Sequence, residues 1–218
     1  MQKQIIRKNL AEFVGTAFLV MIVVGSGIMG QTLSSDPLNI LLVNTIATGA
    51  GLTSLIWLFT PISGAHFNPV VTLVMVLKQE INWKHFLCFI TSQFAGGFLG
   101  VVAANAMFEL ELLNIATTPR NGFHIYLAEF IATFGLLITI LGSRKYNPII
   151  VAPAVGLYIS AGYWFTSSTS FANPAVTLAR GFSDTFTGID PQYIWLFVIS
   201  QIAGAILAFV FMRFLQND

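Results

Sequence analysis

The chain has 218 residues; 9% are charged, 56% fall in the hydrophobic class and the formal net charge is +1. A soluble domain carries about 25% charged residues, and a nucleic-acid partner calls for a basic surface, so composition excludes both readings. The single cysteine, Cys88, rules out an internal disulfide and makes no zinc site; it is read as a small helix-packing residue, and no metal or cofactor is expected.

Residues 10–28 form the first of six stretches that are apolar and long enough to cross a membrane, for which roughly 18 residues suffice. Lys3, Arg7 and Lys8 precede it as in a signal peptide, but its apolar part is longer than a signal core and more spans follow, so it is read as a retained helix. Glu12 lies just inside its start. Residues 31–39 make a short polar loop, and 40–60 the second span, where Gly49 and Gly51 permit close helix contact. Residues 61–67 are rich in turn formers. Residues 68–77 are apolar but too short, at 1.5 Å per residue, to cross roughly 30 Å of hydrocarbon; a re-entrant or interfacial helix is expected.

The third span covers 85–108 and contains Gln93, Gly96, Gly97 and Gly100; residues 109–123 connect the two halves. The fourth span is 125–141, with Glu129 near its start, and 142–147 are expected to form a tight basic turn. The fifth span, 148–165, leads through a Ser/Thr run to a second short helix beginning at Asn173. Residues 181–192 form a polar loop before the last span, 193–214. Trp83, Tyr126, Tyr163, Trp164, Tyr193 and Trp195 fall near span ends, where aromatic interface anchors sit. His85 and His124 are interfacial by position and are given no role.

The halves repeat. Ala11-Glu12-Phe13 opens span one and Ala128-Glu129-Phe130 span four, while Gln93 and Gln201 stand at matching places in spans three and six. Asn68-Pro69 and Asn173-Pro174 each open a short helix, asparagine capping and proline at the first position, where a missing N–H costs nothing. With three full spans per half, the second half enters the membrane inverted, and such repeats place their site at mid-membrane. The expected fold is therefore an all-α membrane protein of six transmembrane helices and two re-entrant half-helices, a single domain over 1–218 with repeats at 1–108 and 123–218. Lys3, Arg7, Lys8, Lys78, Lys84, Arg144, Lys145 and Arg213 fall on the side of the N-terminus, and only Arg120 and Arg180 opposite, so both termini are expected in the cytoplasm.

Two half-helices meeting by their N-termini create a positive potential, and Asn68 and Asn173 can donate N–H groups to a solute oxygen. A neutral hydroxylated solute exchanges hydrogen bonds with water for these, whereas a cation meets two positive dipole ends and an unrepaid desolvation cost. Nothing here turns over a substrate, so no enzyme is expected. Glu12 and Glu129 need partners at membrane depth, and two readings stand: proton coupling in a transporter, or acceptance of hydrogen bonds from the irregular backbone leading into each half-helix. Their repeated position without a nearby basic residue favours the second. Gln93 and Gln201 are read as polar glue, and Thr72 and Thr177 as bonding within the short helices or to a neighbouring span. His66 is either a pore-lining, pH-sensing group or a structural one.

The segment Ser63-Gly64-Ala65-His66-Phe67-Asn68-Pro69-Val70-Val71-Thr72-Leu73, with Phe171-Ala172-Asn173-Pro174-Ala175, resembles the paired motifs of the aquaporin and glycerol-facilitator superfamily, the major intrinsic proteins. The resemblance extends over essentially the whole chain, with valine where the first motif usually has alanine. It implies a homotetramer in lipid, each subunit with its own pore passing solutes passively in single file, and a bacterial inner (plasma) membrane location. It also implies an outer constriction at Thr48, Ala161, Ser170 and Val176. Familiar members carry an arginine directly after the second Asn-Pro-Ala; here that position is Val176, and Arg180 follows one helical turn later. Arg180 either reaches the outer vestibule or caps the following loop through Asp184. This set of small, uncharged side chains implies a wide opening for water and larger solutes such as glycerol or arsenous acid, and resembles atypical bacterial members associated with arsenic resistance. It also removes one barrier to cations, leaving the half-helix dipoles as the main exclusion. The alternatives are a plain water channel completed by Arg180 or a loop side chain, a gradient-coupled transporter, and a structural junction protein.

Overall fold

The computed structural model describes residues 2–216. Among them the chain forms eight α-helices: α1 (Gln2–Leu33), α2 (Pro37–Ser63), α3 (Pro69–Leu77), α4 (Trp83–Met107), α5 (Phe123–Tyr146), α6 (Val151–Phe165), α7 (Pro174–Arg180) and α8 (Ile194–Gln216). Short 3₁₀ turns, Pro148–Ile150 and Pro191–Tyr193, lead into α6 and α8. Six of these helices, α6 and α8 taken with their leading turns, are long and apolar enough to cross a membrane. α3 and α7 have 9 and 7 residues; at 1.5 Å per residue neither exceeds about 14 Å. The chain is an integral membrane protein, and its outward surface carries the exposed apolar side chains a lipid environment requires, among them Leu42, Ile46, Leu99, Leu157 and Leu207.

Local chemistry sets the breaks. Asp36 accepts from the Leu38 N–H at 2.9 Å and Asn82 from the His85 N–H at 2.9 Å, capping α2 and α4. The helix ends also correct two sequence expectations. Residues 142–147 are not a turn: α5 runs through Gly142 to Tyr146, with Arg144 and Lys145 in its last turn beside the negative end of the dipole. The chain breaks only at extended Asn147, which precedes a proline. Likewise α2 continues past Pro61 to Ser63 and ends at Gly64, whose φ of +95° closes the helix with an N–H to the Thr60 carbonyl at 3.1 Å. α1 is also longer than its apolar core, because nothing breaks it before Ser34-Ser35-Asp36-Pro37.

The helices pair as α1 with α4, α5 with α8, and α2 with α6, while α3 and α7 meet each other and pack on α4 and α8. The first two pairs are equivalent. A Cβ at Gly96 would run into the Phe13 carbonyl, and one at Gly204 into the Phe130 carbonyl, so each pair crosses where one backbone has no side chain. Phe13 and Phe130 directly follow Glu12 and Glu129. The close crossings thereby bring the two glutamates to the centre of the molecule, where both are fully buried.

Candidate functional site

The site is built twice. Residues 64–67 lead into α3 and residues 169–172 into α7, and in both segments non-glycine residues adopt the left-handed conformation: Ala65 (φ 50°) and Phe67 (φ 48°) in the first, Thr169 (φ 63°), Ser170 (φ 51°) and Ala172 (φ 46°) in the second. Each such residue costs roughly 1–2 kcal/mol, so these loops need external support.

A buried carboxylate supplies it. Glu12 Oε1 accepts from Ser63 Oγ (2.6 Å) and the His66 N–H (3.0 Å), and Oε2 from the Phe67 N–H (2.7 Å) and Gln93 Nε2 (2.8 Å). Glu129 accepts from the Phe171 N–H (2.9 Å), the Ala172 N–H (2.9 Å) and Gln201 Nε2 (2.7 Å). Every partner is a donor, which matches the acceptor-only character of a carboxylate. Gln93 Nε2 also donates to Thr72 Oγ1 at 2.9 Å, and that hydroxyl to the Asn68 carbonyl at 3.0 Å. Gln201, Thr177 and Asn173 repeat the chain at 2.9 and 2.7 Å. The glutamate, glutamine and threonine of each half thus form one network fastened to the first turn of its half-helix.

The two half-helices meet by their N-termini. Asn68 Oδ1 accepts from the Val70 N–H at 3.1 Å; Asn173 Oδ1 accepts from the Ala175 and Val176 N–H groups at 3.0 and 3.3 Å. Their amides cross: Asn68 Nδ2 donates to the Ala172 carbonyl and Asn173 Nδ2 to the Phe67 carbonyl, both at 2.8 Å. One N–H of each amide is thereby spent on the opposite loop, and the second remains for a ligand. Both asparagines line a single cavity of about 410 Å³ whose opposite wall is apolar, with Leu52, Ile56, Val155 and Ile159.

At the termini-bearing end of this cavity, Arg144 Nη2 pairs with Glu80 Oε2 at 2.7 Å. His66 also lines it, with Nδ1 3.1 Å from Thr72 Oγ1 and its ring edge-on to Phe89 at 5.4 Å.

The far end of the cavity gathers Thr48, Ser170, Val176 and Arg180, all named from the sequence, but not Ala161. Ala161 is exposed on the outside of α6. The helix presents Val151, Val155, Ile159 and Tyr163 to the cavity instead, and a residue two positions from Ile159 and from Tyr163 stands about 200° around the helix from both. Tyr163, read above as an interface anchor, is 4% exposed and has its hydroxyl 3.2 Å from Thr48 Oγ1. The four-residue spacing of these apolar positions was the available signal. Phe171 was also overlooked as a lining residue; it follows directly from its place in the second loop, equivalent to His66 in the first.

Arg180 does not reach Asp184, which accepts from the Thr117 N–H at 2.8 Å and from its hydroxyl. Instead Arg180 Nε donates to the Thr187 carbonyl, and the guanidinium carbon lies 3.3 Å from the centre of the Phe171 ring. Arg120 stands 5.0 Å from the same ring and donates to the Gly188 and Phe186 carbonyls at 2.8 and 3.0 Å. Ser170 Oγ is buried without a hydrogen-bond partner among the described residues. Among the described residues there is no cluster of His, Cys, Asp and Glu able to hold a metal. The arrangement is a polar-faced, apolar-backed conduit with fixed donors at its middle.

Comparison with known proteins agrees with that geometry. The model of the major intrinsic protein family matches residues 1–161. The chain is 46% identical over 209 residues to aquaglyceroporin AqpS of Rhizobium meliloti (strain 1021), covering 96% of this chain and 90% of the relative. It is 31% identical to the glycerol uptake facilitator protein of Streptococcus pneumoniae, covering 90% and 94%, and 32% identical to aquaporin C of Dictyostelium discoideum, covering 97% and 81%. Among solved structures, the aquaglyceroporin from Plasmodium falciparum superposes with a TM-score of 0.76 over 95% of both chains at 22% identity, a likeness of fold.

Proposed function

The chain belongs to the major intrinsic protein family, a family of channels and facilitators rather than enzymes, and from that premise we propose that it is a passive channel for small neutral solutes, water and glycerol-sized hydroxylated molecules among them. The observation that carries this reading is the head-to-head meeting of α3 and α7 on one cavity. Two spare asparagine N–H groups face an apolar wall, so a passing solute turns its oxygens toward one side and its carbon toward the other. A hydroxylated solute replaces its lost water bonds there; an ion does not.

The side chains lining the far end favour solutes larger than water. Val176 stands where the family resemblance places an arginine, and the hydroxyls of Ser170, Thr48 and Tyr163 line this end with Phe171 and Arg180. Arsenous acid, neutral and carrying three hydroxyls, belongs to the same chemical class, and we include it as a candidate solute. The carboxylates Glu12 and Glu129 have their acceptor capacity occupied by backbone and amide donors, which supports passive transport over proton coupling. A homotetramer in a bacterial inner membrane, with both termini cytoplasmic by the lysine and arginine distribution, completes the proposal.

Stopped-flow light scattering on proteoliposomes tests it. Shrinkage in an impermeant osmolyte reads water, and re-swelling in glycerol, urea or arsenous acid reads the solute. Rapid water flux with no entry of any larger solute would reject the wide opening in favour of a water channel narrowed by Arg180. Flux that required a proton or sodium gradient would reject the channel itself.

A further inference from the structure

Arg180 is 3% exposed, yet it lines the cavity, and among the described residues no carboxylate pairs with it. One hydrogen bond, from Nε to the Thr187 carbonyl, and the face of Phe171 hold it in place. No protein acceptor among the described residues takes up its Nη groups. Arg120 is fixed by the two neighbouring carbonyls, so that Phe186, Thr187 and Gly188 in succession turn toward two guanidinium groups standing over one aromatic ring. The loop is itself anchored, through Ser183 Oγ to Asn105 Oδ1 at 2.8 Å and through Asp184 to Thr117. The carboxylate bound to Phe171, Glu129, accepts from that residue's N–H and from Ala172, not from either arginine. Asp184 and Asp190, the acids of the segment between α7 and α8, are engaged by Thr117 and Gln192.

Arg180 thus stands on the wall of a low-dielectric passage, with Arg120 behind it on the same Phe171 ring and no carboxylate hydrogen-bonded to either, so that its field on a passing ion is weakly screened. Arginine keeps its proton at any working pH. We propose that Arg180, backed by Arg120, is the cation barrier at the far mouth, so that charge exclusion and size selection, which an arginine at position 176 would combine, are assigned to different residues. Arg180 repels cations from beside the passage; Val176, Ser170 and Tyr163 set its width. This rests on the channel reading and departs from the expectation that, without an arginine at 176, the half-helix dipoles are the main exclusion of cations. It also reconciles a wide opening with an intact membrane potential.

The test measures two fluxes on the same proteoliposomes: glycerol entry by light scattering, and sodium entry by an enclosed sodium-sensitive dye under an inside-negative potential. Arg180→Gln is expected to raise the ratio of sodium entry to glycerol entry by about tenfold or more. Arg180→Lys keeps the charge and is expected to stay sodium-tight, and Val176→Ala is expected to alter glycerol entry while remaining sodium-tight. Arg120→Gln, one step removed, is expected to leak to an intermediate degree, and it serves alone should Arg180→Gln not assemble. A sodium-tight Arg180→Gln that still passes glycerol overturns the proposal, as does a Lys variant that leaks like the Gln variant, or a sodium-tight Arg120→Gln where only that variant assembles. Wild-type protein that passes neither water nor glycerol would instead reject the channel reading, and that result needs no variant.

Discussion

Asn68 donates its side-chain N–H to the carbonyl of Ala172, and Asn173 returns the bond to Phe67, each at 2.8 Å. The two halves of the chain are therefore joined at the residue before each half-helix, by the same groups that face the solute. Stability and selectivity share these atoms.

Replacing Asn173 with alanine removes a helix cap and leaves the buried Phe67 carbonyl without its donor. The expected cost is about 2 kcal/mol or more. Thermal unfolding of the detergent-solubilised protein should show a clearly lower midpoint, together with reduced glycerol entry. An unchanged midpoint would mean that the cross-bond contributes nothing.

Glu129→Gln exchanges an acceptor-only group for one whose NH₂ must face either the Phe171 N–H or the Ala172 N–H and the Gln201 amide. Breaking a buried, charged hydrogen-bond set of this kind costs about 3 kcal/mol or more. The variant should unfold at a lower temperature, and whatever folds should still pass glycerol without dependence on a proton gradient. A stable variant that lost only gradient-driven uptake would restore the transporter alternative.

Val176→Arg brings a guanidinium into the opening from the first turn of α7. Glycerol entry should fall several-fold more than water entry, read by the two phases of light scattering. Equal reduction, or none, would remove Val176 from the constriction.

Gly96→Val places a branched side chain against the Phe13 backbone, which cannot swing aside as a flexible side chain would. Overpacking costs of this kind run to about 3 kcal/mol or more when backbone must shift. Because Glu12 adjoins Phe13, the displacement should reach the loop before α3, and both stability and flux should drop. Val substituted at the lipid-facing Leu99 of the same helix should change neither.

Much of this protein follows from its sequence. The paired Asn-Pro starts, the repeated glutamates and glutamines, and segments too short to span dictate six crossings and two half-helices, because hydrocarbon leaves backbone groups no partners except within helices. The same patterning could not say which face of a helix meets the cavity when apolar side chains cover every face. Ala161 and Tyr163 both suit the inside of a membrane bundle by composition. Only the crossing of α2 and α6 turns Tyr163 inward onto Thr48 and Ala161 outward. Arg180 is the sharper case. Its place one turn beyond Val176 is plain in the chain, but its partners, Phe171 and the Thr187 carbonyl, come from a loop before the half-helix and a loop after it. A charge in a membrane protein takes its role from what surrounds it, and here those surroundings exist only once both loops have folded over the mouth.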